Sequence, residues 1–164
     1  MRASIFENSK EFLPLNNYKR IFGLILLASF AVSLAYFAVT FQGMRIHFFQ
    51  FAVFASALIF GPAAGFATGL VAAIPSAIAT HNYWILGGNA ILGACVAIYA
   101  RKISIPLAVV AAFLTQLPYL VATDLIFGIP LAMLQSMVLL IFAEDLVCGL
   151  FAWKAKDKLR QMLE

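Results

Sequence analysis

A chain of 164 residues that is 64% apolar and 11% charged, with a net charge of +4, has too few polar side chains to cover a soluble core of its own size. Ordinary globular domains are about 45–50% apolar and about 25% charged, and a mean hydropathy of +0.98 lies far to the membrane side of that balance. The composition excludes a soluble domain, and because the basic residues cluster at helix ends, the positive excess sets membrane orientation and excludes nucleic acid as a partner.

Residues 1–18 carry charges of both signs and lack the small-residue cleavage pattern of a secretory signal, so the apolar stretch after them is expected to be a retained helix and the segment itself cytoplasmic or interfacial. The first span runs from Ile21 to about Thr40, closed by Gln42, Gly43 and Arg45. From Ile46 to Ala100 there is no Lys, Arg, Asp or Glu. That run divides at Gly61-Pro62, where proline removes an amide donor. It divides again at His81-Asn82-Tyr83-Trp84 with Gly87-Gly88, a polar, aromatic, glycine-rich stretch suited to an interface. Spans are therefore predicted at about 46–60, 63–80 and 86–100. Lys102 to Lys154 supplies two more, about 104–126 and 131–153, separated at Gly128-Ile129-Pro130. The expected architecture is all-α: one six-helix transmembrane bundle over residues 19–153 and a basic cytoplasmic tail over 154–164. Spans two and four are short, roughly 22 Å at 1.5 Å per residue, so their loops are expected to dip into the bilayer where protein or water shields them.

Lys10, Lys19 and Arg20 precede the first span, Arg101 and Lys102 join spans four and five, and Lys154, Lys156, Lys158 and Arg160 follow the sixth. Six spans bring all three clusters to one side, and short basic loops stay in the cytoplasm, so both termini are predicted inside. The outer side then holds Arg45, His47, His81, Asn82, Tyr83, Trp84 and Asp124.

A small-molecule site needs an apolar cavity with a few convergent polar groups. Asn82, Tyr83 and Trp84 lie in the loop between spans three and four, Asn89 enters span four, Gln116 and Tyr119 flank Pro118, and Asp124 ends span five. Trp and Tyr can stack on a heteroaromatic ring while Asn and Asp hydrogen-bond its edge; the competing reading of Tyr83 and Trp84 is an ordinary aromatic belt. Arg45 and His47 are candidates for a gate or an anion contact, against the alternative of a solvated loop. Glu144 and Asp145 fall near the midplane, where an ionised side chain costs about 2.5–3.5 kcal/mol, so they must face the bundle, a cavity or a partner. Adjacent residues point about 100° apart on a helix, so the two cannot share one lining position.

Gly61, Gly65 and Gly69 form a double GxxxG ladder suited to close helix packing, and Ala31 and Ala35 form an AxxxA pair beside Ala28 in the first span. Together with Gly61-Pro62-Ala63-Ala64-Gly65-Phe66-Ala67-Thr68-Gly69 and the later Gly88-Asn89-Ala90-Ile91-Leu92-Gly93, these features resemble the substrate-binding S components of energy-coupling factor (ECF) vitamin transporters, over roughly residues 19–153. An acidic residue that often follows the ladder in that family is replaced here by Leu70-Val71-Ala72-Ala73-Ile74-Pro75, so the resemblance names no particular vitamin. It implies a multi-pass protein of a prokaryotic plasma membrane that captures a small water-soluble, heterocyclic nutrient outside. It also implies energy supplied by a transmembrane coupling subunit with two ATPases, and docking of that subunit on Ala28, Ala31 and Ala35. No cofactor is expected.

Two rival functions remain open on the residues: an autonomous proton-coupled transporter using Glu144 or Asp145, and a non-transporting assembly subunit. Catalysis has no sequence support, since GxSxG, HExxH and GxxxxGK[ST] are all missing. Cys95 and Cys148 lie in apolar stretches without metal-ligand spacing and read as small hydrophobes, and His47 with His81 does not by itself make a metal or haem site.

Overall fold

The structure, a computed structural model, describes residues 12–41 and 44–164; most of the segment 1–18 therefore lies outside the described residues. Helix α1 spans Tyr18–Tyr36, its first turn capped by Asn17, whose side chain accepts from the Lys19 amide at 3.0 Å. The helix stops short of the expected Thr40. Instead β1 (Val39–Phe41) pairs antiparallel with β2 (Met44–Ile46), Thr40 opposite Arg45. The all-α expectation thus needs one correction, a two-stranded hairpin where β-branched Val39 and Thr40 follow the aromatic pair Tyr36-Phe37.

Helix α2 is Gln50–Phe60, and nearly every residue of it is buried, from Ala52, Val53 and Phe54 through Ile59 and Phe60. Apart from Gln50 and Ser56 its sequence is apolar, so with no polar stripe it has no face to give to water, and it occupies the centre of the bundle. At 11 residues, about 16 Å, it is too short to cross the hydrocarbon alone. Gly61 ends it at φ 98°, a left-handed conformation that a side chain would strain, and Pro62 occupies the first turn of the next helix. Helices α3 (Pro62–Ala72) and α4 (Ile74–Thr80) follow one another through Ala73, and His81 at φ 56° closes the pair. Then come α5 (Trp84–Ala100), α6 (Ile105–Ile126) with Pro118 inside it, and α7 (Leu131–Leu163). Among the described residues four stretches, α1, α3 with α4, α6 and α7, are long and apolar enough to cross a membrane; α2 and α5, at 11 and 17 residues, are shorter. The basic tail begins no new element, since α7 continues through it to Leu163.

The glycine ladder serves the inside of the bundle. A Cβ on Gly65 would overlap the Gly93 carbonyl, one on Gly93 the Gly65 carbonyl, and one on Gly69 the Asn89 carbonyl, so α3 and α5 touch backbone to backbone. The core around α2 is built from Phe49, Val53, Phe54, Leu92, Val96, Val109 and Phe113, with Phe113 and Phe142 rings 4.9 Å apart. At one end of the bundle Leu13, Ile59, Phe60 and Ala64 form a second cluster against Leu159 and Leu163, and the Arg101 guanidinium lies 4.3 Å over the Phe12 ring. The start of α1, the end of α5 and the end of α7, where the three basic clusters sit, therefore share one end.

Candidate functional site

At the opposite end a cavity of about 320 Å³ opens between α2, α4, α5, α6 and α7. Its wall is largely apolar, with Ile85, Leu92, Leu120, Met133, Met137 and Ile141, and its polar groups fall into two sets.

The first set lies where α4, α5 and α6 reach their loops. Asn82, just past the left-handed His81, is buried, and its Nδ2 donates to Asp124 Oδ1 at 3.3 Å while its Oδ1 accepts from the Trp84 amide at 3.2 Å. The Asn82 amide reaches Thr80 Oγ1 at 3.4 Å, and the Thr80 hydroxyl in turn donates to the Ser76 carbonyl at 2.8 Å. One asparagine thus ties the loop to the last turn of α6. The Tyr119 hydroxyl donates to the Trp84 carbonyl at 3.0 Å, and glycine at 87 is what leaves room for it, because a Cβ there would overlap that hydroxyl. Gln116 lies one turn deeper on α6, beside Pro118, where the regular backbone bonding is interrupted.

The second set forms the floor. Gln50 in the first turn of α2 and His47, in the connection just before it, both approach Glu144 on α7. His47 Nδ1 lies 3.5 Å from Glu144 Oε1, an ion-pair distance longer than a formed hydrogen bond, and its Nε2 is 3.0 Å from Ser76 Oγ. With its amide nitrogen turned toward them, Gln50 donates to Glu144 Oε1 at 2.8 Å and to the His47 carbonyl at 3.2 Å. Asn89 Nδ2 donates to the Ile85 carbonyl at 2.9 Å. Burying amides and a carboxylate this far from water is tolerable only when they bond to one another in this way.

Six of the seven residues expected to contact a ligand, Asn82, Trp84, Asn89, Gln116, Tyr119 and Asp124, line this one cavity, as does His47. Tyr83 does not: it is 62% exposed and points away from the space its neighbour Trp84 lines. The side chain of Arg45 lies outside the described part of the structure. Glu144 and Asp145 separate as adjacent helix positions must. Glu144 lines the cavity rather than forming a polar site of its own, whereas Asp145 is fully buried elsewhere, with both carboxylate oxygens unpartnered among the described residues. Ala31 and Ala35 are completely buried and belong to the core packed on α2, and Ala28 is half-buried, so the small side chains let α1 approach its own bundle and offer no free surface.

Gln50, Ser76, Thr80, Thr123, Met133 and Met137 also line the cavity and were not anticipated. Gln50 could have been found: an amide in an otherwise apolar buried helix needs a partner inside the membrane. The pairs Ser76/Thr80 and Met133/Met137, each four apart, share a helix face, but nothing in their identity separates that face from a packing face.

No protein-family model and no curated protein sequence matches the chain. A solved structure of the S component of a bacterial ECF transporter is similar to it in fold, with a TM-score of 0.51 and 16% sequence identity, over 87% of this chain and 94% of that one. At that identity the likeness is one of helix arrangement.

Proposed function

We propose that this chain is the membrane-embedded substrate-capture subunit of an ECF-type ATP-driven importer, taking a small water-soluble vitamin or related heterocyclic nutrient from outside. The observation that carries the reading is a cavity of about 320 Å³, lined by aromatic and amide side chains and opening at the end opposite the basic clusters, in a fold similar to that of an S component. Trp84 and Tyr119 offer faces for stacking, and Asn82, Asn89, Gln116 and Asp124 offer edges for hydrogen bonding. With no nucleotide motif of its own, the chain would depend on a transmembrane coupling subunit and two ATPases for energy.

A second reading, an autonomous proton-coupled transporter, is favoured by one observation: Glu144 lines the cavity 3.5 Å from His47, so a titratable pair would meet the cargo directly. The two readings differ in energy source. Mass spectrometry of the compound that co-purifies with the detergent-solubilised protein identifies the cargo, and its uptake is then followed in liposomes. The proposal expects no accumulation by this protein alone under a pH gradient; accumulation there without ATP would replace it with the second reading.

A further inference from the structure

Several neutral hydrogen-bond donors of the cavity wall are committed internally. Asn82 Nδ2 donates to Asp124, Asn89 Nδ2 to the Ile85 carbonyl, the Tyr119 hydroxyl to the Trp84 carbonyl, and the Thr123 hydroxyl to the Tyr119 carbonyl at 2.8 Å. The charged groups that remain are acids. Asp124 is 7% exposed and Glu144 6%, and Gln116, at 4%, has its Oε1 without a partner among the described residues. Among those residues no Lys or Arg lines the cavity. His47 is engaged by Glu144 and Ser76, which leaves Asp124 with an amide donor and, among the described residues, no counter-charge. Trp84, Tyr119 and Phe127, the last one turn beyond Asp124, line the same space.

We propose that the cavity takes a positively charged organic ligand, a protonated amine or a cationic nitrogen heterocycle, with its charged nitrogen at Asp124 and its apolar body against Trp84, Tyr119 and Phe127. This rests on the reading of the cavity as the ligand site and adds the charge of what it holds. A cation supplies the counter-charge that Asp124 lacks and is attracted by the electron-rich faces of aromatic rings. A neutral ligand leaves the carboxylate unpaired after displacing its water, and an anion is repelled by two buried acids.

The test uses three probes of one frame, benzylammonium, benzyl alcohol and benzoate, titrated at neutral pH against the full chain in phosphatidylcholine nanodiscs by ligand-observed NMR, with empty nanodiscs as blank. Benzylammonium is expected to bind about tenfold or more tightly than the other two, since one charge-assisted bond separates them. D124N should weaken benzylammonium by about tenfold and leave benzyl alcohol little changed, while D124E should keep the preference. Trp84→Ala should weaken every probe that enters the cavity. Equal affinity for benzyl alcohol, a preference for benzoate, or an unaltered benzylammonium affinity in D124N would overturn the cationic assignment; if Trp84→Ala still weakened binding, the cavity would stand as the ligand site. Binding of none of the probes, or binding indifferent to Trp84→Ala, would overturn both.

Discussion

Gln50 holds the cavity floor together, because one amide nitrogen meets both the Glu144 carboxylate and the His47 carbonyl. Replacing it with leucine keeps most of the volume and removes the 2.8 Å donor from a buried carboxylate, which costs about 1–3 kcal/mol for a group left unsatisfied. The Gln50→Leu protein should unfold at a lower temperature, by about 2–4 °C for each kcal/mol lost, in a thermal melt monitored by intrinsic fluorescence. A midpoint equal to that of the unaltered protein would mean that Glu144 draws its partners from elsewhere. Tyr83 and Trp84 make the companion point, since neighbours in sequence with similar chemistry end up outside and inside the cavity.

At the scale of elements, two small-residue motifs have the same physical use. Gly65 and Gly93 let α3 and α5 meet at their carbonyls, and Ala31 and Ala35 let α1 lie on α2. Ala31→Trp should therefore lower the yield of monodisperse protein in size-exclusion chromatography, because a side chain of that volume must force packed helices apart at a cost of about 1–3 kcal/mol or more. Ser33→Trp, on the exposed face of the same helix, should leave the yield unchanged. Equal behaviour of the two would restore Ala31 as a surface residue and with it the docking role first read from the AxxxA spacing.

Across the whole molecule the charges are polarised. Phe12 under Arg101, and Leu159 and Leu163 against Leu13 and Ile59, draw the three basic segments to one end, with the cavity at the other. With basic loops retained in the cytoplasm, the cavity end should face outward. In a background with Cys95 and Cys148 replaced by alanine, a membrane-impermeant thiol reagent applied to intact cells should modify Trp84→Cys and spare Lys102→Cys. Labelling at 102 with protection at 84 would reverse the direction of access and remove uptake from outside as the function.

Hydropathy and breaker residues were enough to place the helices, because a bilayer demands long apolar runs and Gly61-Pro62, His81 to Gly88 and Gly128 to Pro130 interrupt them whatever packs around them. The charge pattern likewise fixed which loops share an end. The polar residues of span ends three to five were also legible, since polar groups are rare enough in such a chain to stand out. Tertiary structure alone decided the rest. It turned the end of the first span into a hairpin, brought Gln50 and Glu144 together from 94 positions apart, sent Asp145 away from the cavity and Tyr83 out of it, and buried Ala31 and Ala35 in their own bundle. Small and aromatic side chains fit a lipid face, a partner face and a core face equally well, so which face they occupy depends on the neighbouring helices and not on the residues themselves.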